Sequence, residues 1–294
     1  MQDEKYTHIL KRDFHLYPLL APLLEIHQCP TELYIQGDVL EKNENTRVVC
    51  VIGSRKASPY GRDATDYLLS GLQGHDIIII SGLALGIDTC AHRAAIKYNL
   101  KTISFPGSGL HHEVLYPQSN IKLADEIIEN GGALISEYEP NTKSQLYTFP
   151  ARNRLMAAVA DLILIIEAEE KSGTQITARL GLEYNKDIAI VPGSIFSSLS
   201  RGTAQLFKDG AYPVTCSEDI IELLKLNSKP EQKTLFESVS DEEKTILKML
   251  DYPMSRDEII EKSGLLAHEA FIAITTLESK GFVADSFGEI KKLV

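Results

Sequence analysis

Small and basic residues recur at the ends of predicted strands, where they could bind phosphate. Five times along the 294-residue chain, a run of β-forming residues ends in a cluster rich in glycine or serine. Residues with helical spacing follow each cluster, and helix N-termini bind phosphate oxygens through free backbone N–H groups. If the strands are parallel, all five loops open on one edge of one sheet. The clusters are Gly53-Ser54-Arg55, Ser81-Gly82, Gly107-Ser108-Gly109, Ser172-Gly173-Thr174 and Pro192-Gly193-Ser194.

Arg55 and Lys171 place positive charge beside two of these loops. Gly53 lets the main chain approach a phosphate, and the Arg55 guanidinium can fork onto its oxygens. An ordinary strand-to-helix turn with a surface arginine explains the same tripeptide. Lys171 precedes Ser172-Gly173 at a predicted helix start, although the G-x-x-x-x-G-K-[ST] order of a P-loop is absent. The two loops together predict an anion-binding crevice.

The segment Phe149-Pro150-Ala151-Arg152-Asn153-Arg154 combines an aromatic ring with two guanidinium groups in six residues. Such a combination supplies base stacking and phosphate contacts together, as in single-strand binding. A helix N-terminus with Pro150 in its first turn and Phe149 in the core explains the segment equally well. We expect one arginine of the pair to face the groove.

Predicted strands and helices alternate between residues 47 and 191 and would hold the loops in one sheet. The strands contain four or five consecutive apolar residues, which is typical of a sheet covered on both faces. We therefore predict an α/β fold with an extended Rossmann-like parallel sheet. The predicted strands are 48–52, 77–80, 102–105, 133–136, 162–166 and 188–191, and the predicted helices are 59–73, 87–98, 119–129, 152–160 and 174–184.

Composition divides the chain into four parts. The N-terminal part is irregular, and its Leu33-Tyr34-Ile35 run predicts an edge strand. A polar, proline-containing stretch near the C-terminus has the composition of a linker. The predicted parts are a lead-in packed on the main domain at 1–45, a Rossmann-like domain at 46–226, a linker at 227–239 and a winged-helix domain at 240–294.

The last part has the element pattern of a winged helix, with three short helices and a hairpin. Ser240 and Ser255 are placed to cap two helices, residues 267–280 are amphipathic, and the hairpin turns near Phe287-Gly288. Residues 237–294 hold 7 Lys/Arg against 12 Asp/Glu, a balance that repels DNA phosphates. We therefore favour protein contact or simple packing for this domain.

The net charge of −11 argues against a protein coated in basic residues. Residues 47–220 carry 16 Lys/Arg against 19 Asp/Glu, so a positive groove is possible locally. The sequence contains neither an 18-residue apolar stretch nor the basic and apolar start of a signal peptide. We expect a cytoplasmic protein that does not contact membranes.

Several familiar cofactor and metal motifs are absent, and we predict neither a cofactor nor a metal. The four cysteines form no C-x-x-C pair, which indicates free thiols. The loops at Gly82 and Gly107 fail the G-x-G-x-x-G pattern, so NAD binding is poorly supported. His111-His112-Glu113 offers metal ligands, but adjacent residues rarely point at one ion.

Three ionisable residues admit two interpretations each. Asp88 and His92 lie four residues apart on a predicted helix, which suits an acid–base pair but favours a structural hydrogen bond. Glu167 follows a strand and most simply lies on a solvated rim, although it could hold Arg154 or Lys171 in position. We therefore predict no catalytic residue.

Taken in order, the motifs resemble the DprA family, also called Smf, the DNA-processing protein A of bacteria. The similarity covers roughly residues 18–222. The motifs that carry it are Val51-Ile-Gly-Ser-Arg55, Ser81-Gly-Leu-Ala-Leu-Gly-Ile-Asp88 with Ala91-His92, Tyr116-Pro117, Ser136-Glu137-Tyr138, Phe149-Pro-Ala-Arg-Asn-Arg154, Glu167 with Lys171-Ser-Gly-Thr, Pro192-Gly193 and Asp209-Gly210-Ala211.

The resemblance implies a non-catalytic protein that binds single-stranded DNA, dimerises and helps to load RecA recombinase during natural transformation. Many members also carry an N-terminal SAM-like domain, for which this chain has no room. The loop clusters and the resemblance together give the candidate DNA-binding residues. They are Gly53, Ser54, Arg55, Ser108, Phe149, Arg152, Asn153, Arg154, Lys171, Ser172 and Gly173.

Two other functions remain open. Related Rossmann-like phosphoribohydrolases cleave base from sugar with a glutamate in a P-G-G-x-G-T-x-x-E loop. Here Thr177 occupies the matching position, and Glu183 or Asp88 would have to substitute. The same crevice could also serve a small-nucleotide sensor that binds no strand.

Overall fold

The computed structural model describes residues 6–38, 42–226, 240–250, 252–286 and 288–292. The chain divides into two compact units, Met1–Ser228 and Lys229–Val294. The predicted linker at 227–239 lies outside the described residues.

A nine-stranded sheet forms the centre of the first unit, with the order β1-β2-β6-β5-β4-β3-β7-β8-β9. The seven strands from β6 to β9 in that order pair in parallel, because helices connect them. The strands are β1 Thr7–Leu10, β2 Glu32–Gly37, β3 Arg47–Ile52, β4 Ile77–Ser81, β5 Lys101–Ser104, β6 Ala133–Ser136, β7 Leu162–Ile165, β8 Asp187–Ile190 and β9 Tyr212–Pro213.

Helices cover both faces of this sheet. Along β3, Val48 and Cys50 pack into one apolar core and Val49 and Val51 into a second, as a strand buried on both faces requires. The α/β, Rossmann-like prediction is confirmed. The helices are α1 Pro59–Ser70, α2 Ile87–Lys97, α3 Ile121–Glu129, α4 Thr148–Val159, α5 Gly173–Glu183, α6 Arg201–Lys208 and α7 Ser217–Leu223, with short 3-10 helices at Lys11–Leu16, Ala21–Glu25, Gln118–Asn120 and Ser198–Ser200.

The N-terminal segment extends the sheet. β2 pairs antiparallel with β6, and β1 pairs antiparallel with β2. The predicted edge strand at Leu33-Tyr34-Ile35 is therefore a strand, but it lies one position inside the edge. The main sheet is mostly, and not wholly, parallel.

The described residues of the second unit form three helices and a three-stranded antiparallel sheet of order β10-β12-β11. Ser240 and Ser255 each accept a hydrogen bond from the backbone N–H three residues on, as the capping signals predict. The predicted hairpin turn includes Phe287, which lies outside the described residues, and the winged-helix assignment stays a prediction. The elements are α8 Asp241–Met249, β10 Met254–Ser255, α9 Arg256–Ser263, α10 Ala267–Ser279, β11 Val283–Ser286 and β12 Glu289–Lys292.

Candidate functional site

A cavity of about 540 Å³ opens at the carboxyl edge of the main sheet. It lies where the strand order reverses, because β3 has β4 on one side and β7 on the other. Open α/β sheets bind ligands at such a switch point. The loops after β3 and β7, the start of α4 and the start of α5 all contribute to its lining.

Arg55, Phe149 and Lys171 line this one cavity although they are far apart in the sequence. Arg55 and Lys171 are exposed, and Phe149 is half-buried. The Arg55 guanidinium carbon lies 5.1 Å from the centre of the Phe149 ring, which is a cation–π distance. The site therefore combines exposed cations with an aromatic ring.

The loop after β3 is fixed by backbone hydrogen bonds to its neighbours. The Ser54 N–H donates to the Glu167 carbonyl at 2.8 Å, and the Ile87 N–H donates to the Ser54 carbonyl at 3.1 Å. A β-carbon on Gly53 would lie 2.7 Å from the Ile87 side chain, so only glycine allows this approach. Arg55 is consequently held at the mouth of the cavity.

The loop after β7 leads directly into the N-terminus of α5. Ser172 is the N-cap residue, and its buried hydroxyl oxygen has no hydrogen-bond partner in the described part of the chain. Ser172 and Gly173 line the cavity beside Lys171. A helix N-terminus with an unpaired hydroxyl and an adjacent ammonium group is suited to bind an anion.

Arg152 forms part of the cavity floor and is only 5% exposed. Its guanidinium donates to the Phe105 carbonyl, and its Nε donates to Asn153 Oδ1 at 3.2 Å. Arg152 and Asn153 are therefore built into the floor. The Asp88 carboxylate accepts from the N–H groups of Gly82 and Ala84 at 3.1 and 3.3 Å.

Burial raises the pKa of Asp88, while the nearby Arg152 charge and the two backbone N–H groups act in the opposite direction. Asp88 also lines the cavity floor. Its carboxylate is thus held by local donors, which leaves it a structural group beneath the site.

Two predicted site residues do not line the cavity. Ser108 is fully buried, and its hydroxyl donates to the Gly109 carbonyl at 2.9 Å. Arg154 donates to Glu137 at 2.5 Å, and both side chains are nearly buried. Only Arg152 of the two arginines lines the cavity, as expected, and the ion pair places the other candidate, Arg154, outside the cavity lining.

The interpretations of Asp88, His92 and Glu167 also change. His92 Nδ1 lies 2.8 Å from the Thr102 hydroxyl oxygen, so its hydrogen bond is structural but its partner is not Asp88. Glu167 is 3% exposed, which contradicts a solvated rim. It accepts from the backbone N–H and hydroxyl of Ser58, the N-cap of α1, and does not hold Arg154.

Comparison with known proteins identifies the family. A family model described as DNA recombination-mediator protein A matches residues 8–225. The chain belongs to this family. Similar proteins include DNA processing protein DprA of Streptococcus pneumoniae (35% identical; 74% of this chain, 79% of the relative) and Protein Smf of Escherichia coli (31%; 94% and 75%).

Two solved structures of DNA processing protein A resemble this chain. The protein from Streptococcus pneumoniae aligns with a TM-score of 0.67 and 35% identity, covering 74% of each chain. The protein from Helicobacter pylori, described for its single-stranded DNA binding mode, aligns with a TM-score of 0.64 and 30% identity. That alignment covers 76% of this chain and 97% of the Helicobacter protein. The resemblance drawn from the sequence motifs is confirmed.

Within this family member, sequence reasoning missed several residues of the cavity lining. Tyr116 and Leu146 line it and are 44% and 91% exposed. Lys56 lies beside Arg55 and is also exposed. Sequence patterns find loops after strands, but they do not tell an exposed aromatic residue from a buried one.

Two other features are absent from the described residues. They contain no cluster of three metal-ligating side chains, and His112 Nε2 lies 2.9 Å from Asp125. No described helix has both the length and the apolar character needed to cross a bilayer.

Proposed function

We propose that this chain binds single-stranded DNA in the cavity at the sheet edge without catalysing a reaction on it. The supporting observation is that Arg55, Phe149 and Lys171 line one cavity. Cations for phosphates and an aromatic face for a base are the two elements of sequence-tolerant strand binding. The Helicobacter relative, described as binding single-stranded DNA, supports the same assignment.

Phosphate is bound on the two sides of the cavity that carry positive charge. Lys171 and the α5 N-terminus form one side, and Arg55 forms the other. These groups contact the sugar–phosphate backbone, which has the same charge in every sequence. Phe149 stacks a base, and Arg152 and Asn153 close the floor beneath it.

We infer the biological role from the family. In the proposed role, the protein protects an incoming strand and helps to load RecA recombinase during DNA uptake, acting as a cytoplasmic homodimer. Membership of the recombination-mediator family supports this role.

The deciding experiment is a fluorescence anisotropy titration with labelled oligo-dT, using duplex DNA of the same length and AMP as competitors. We expect oligo-dT to bind and to be displaced by unlabelled single strands far better than by duplex. Equal competition by duplex, or preferential displacement by AMP, would contradict the proposal and favour a nucleotide sensor.

Three substitutions test whether oligo-dT binds in this cavity. Arg55→Ala and Lys171→Ala should each weaken oligo-dT binding, because each removes a phosphate contact. Phe149→Ala should cost about 1–3 kcal/mol of binding free energy if a base stacks on the ring. Unchanged affinity in all three variants would refute this site.

The alternative of a phosphoribohydrolase makes a different prediction, which is the release of free base from AMP. Thr177 occupies the position of the glutamate, and its hydroxyl donates to the Gly173 carbonyl at 3.4 Å. Glu183 is exposed at the end of α5 and does not line the cavity. Measurable release of adenine by the unsubstituted protein would contradict the non-catalytic assignment.

A further inference from the structure

Tyr116 is a large, exposed aromatic residue that lies between two buried residues. It is 44% exposed, whereas Leu115 is fully buried and Pro117 is buried. Tyr116 lines the same cavity as Arg55 and Phe149. An exposed aromatic residue is informative when it joins a binding surface of suitable chemistry, which is the case here.

Hydrogen bonds hold the Tyr116 turn in place. The Gln118 side chain donates to the Leu115 carbonyl at 3.0 Å, and the Asn120 N–H donates to the Pro117 carbonyl at 2.9 Å. The Asn120 side chain in turn donates to the Leu83 carbonyl at 2.8 Å. A ring on a fixed turn loses little conformational entropy when a ligand packs against it.

The Tyr116 and Phe149 rings are neighbours with different orientations. Their centroids lie 5.5 Å apart and their planes differ by 59°. Rings inclined at this angle support each other but cannot both lie flat against one base. Because both rings line the cavity, a strand bound there needs a separate base for each ring.

Resting on the proposed function, we infer that Tyr116 is a second stacking platform, which contacts a nucleobase of the same strand next to the base on Phe149. The ligand is a nucleobase rather than a phosphate, because an aromatic face attracts the flat apolar surface that every base shares. Leu146, which is 91% exposed and lines the same cavity, adds apolar surface beside the platform.

The first test compares three variants in oligo-dT titrations. Tyr116→Leu keeps an apolar contact with Phe149 but removes the aromatic face, and we expect at least about fivefold weaker binding. Tyr116→Phe keeps the ring and should bind within about twofold of the unsubstituted chain. Tyr67→Leu is the matched control, because Tyr67 is 56% exposed and lines a different cavity with Tyr60 and Pro192.

The second test detects the base directly. The chain contains no tryptophan, so Tyr116→Trp creates a protein with a single indole. Oligo-dT should quench the emission of that indole at saturation and leave the emission of a Tyr67→Trp variant unchanged. This measurement separates base contact at position 116 from an indirect effect on Phe149, and it remains available if Tyr116→Leu fails to fold.

The outcomes distinguish this inference from the proposed function. If Phe149→Ala weakens binding while Tyr116→Leu does not, and the indole emission of Tyr116→Trp is unchanged, the second platform is overturned and single-strand binding stands. If the unsubstituted chain does not bind oligo-dT, both are overturned. Weakened binding by Tyr116→Leu, together with quenching in Tyr116→Trp but not in Tyr67→Trp, supports the inference.

Discussion

On α4, Arg152 and Arg154 lie two residues apart and therefore about 200° apart around the helix axis. Their side chains consequently lie in different surroundings. Arg152 contacts the floor of the cavity, and Arg154 pairs with Glu137 outside its lining. Residue type alone suggests two phosphate contacts, whereas the helical position of each residue separates their roles.

Arg154→Ala is expected to reduce stability and to leave DNA binding intact. The Arg154 and Glu137 side chains are 11% and 13% exposed, so the substitution leaves a nearly buried carboxylate without its partner. Breaking such a pair lowers the free energy of unfolding by roughly 3–5 kcal/mol. Urea unfolding measures that loss, and an oligo-dT titration under native conditions should give unchanged affinity.

The double variant Arg154→Met/Glu137→Leu is the control, because replacing both charges by apolar groups should restore most of the stability. Full stability of Arg154→Ala combined with weaker oligo-dT binding would instead place Arg154 in the DNA contact.

The start of α4 differs from the predicted helix bounds and agrees with the alternative that places Pro150 in a first helical turn. The predicted helix begins at Arg152, but α4 begins at Thr148, so Phe149 and Pro150 lie in its first turn. Proline is tolerated there because the first N–H groups of a helix have no partner within it. Because α4 starts at Thr148, the Phe149 backbone lies within this helix.

Gly107→Ala tests whether packing between the loop after β5 and α4 sets the Phe149 ring. A β-carbon at position 107 would lie 2.6 Å from Phe149 Cδ1 and 2.9 Å from Cε1. The ring must therefore move, and oligo-dT affinity should fall by about 1–3 kcal/mol, as expected for Phe149→Ala. Oligo-dT titrations of Gly107→Ala and Phe149→Ala measure the two losses of affinity.

The same substitution in a Phe149→Ala background supplies the control. Since the three nearest atoms to the added carbon all belong to the Phe149 ring, Gly107→Ala should then have no further effect. An equal loss in both backgrounds would show that Gly107 acts in some other way.

His92 on α2 is hydrogen-bonded to Thr102 on β5. Because His92 is buried there, we expect the first unit to lose stability in acid. The Thr102 hydroxyl donates to the Ile79 carbonyl, so His92 Nδ1 carries the proton in the bond to Thr102. Burial and the Arg152 charge lower the pKa of His92 from 6.5 to about 3. The unfolded chain therefore binds this proton first as the pH falls.

Because the folded state binds this proton less tightly than the unfolded chain does, the free energy of unfolding falls as the pH falls. The stability contributed by neutral His92 is present above pH 6.5 and is lost as the pH falls toward 3. At pH 5 the loss from this group is about 2 kcal/mol. Urea unfolding at pH 7, 6 and 5 should show it. His92→Asn, which can still donate to Thr102, should have a shallower pH dependence, and identical slopes would contradict the assignment.

Local sequence patterns predict the parallel core of the main sheet better than its antiparallel edge. The five strand-loop-helix units follow from apolar runs and small-residue loops, because each unit is encoded within about 30 residues. The antiparallel addition of β1 and β2, and the pairing of Arg154 with Glu137, depend on contacts distant in sequence. The convergence of Arg55 and Lys171 needs the strand order, which local patterns do not contain.

The charge distribution of the chain makes salt dependence the most direct test of its electrostatics. The protein carries a net charge of −11, so DNA attraction must come from the local cations at the cavity. With about three phosphates contacted, the logarithm of the affinity for oligo-dT should fall against the logarithm of salt concentration with a slope of about −2. Titrations between about 50 and 200 mM salt measure that slope.

Lys171→Ala removes one contact and should make the slope less steep by about 0.7, whereas Phe149→Ala should lower affinity at every salt concentration and leave the slope unchanged. A flat response of the unsubstituted protein would mean that stacking alone holds the strand, and an equal change of slope in both variants would mean that Phe149 acts by positioning Arg55 over its ring.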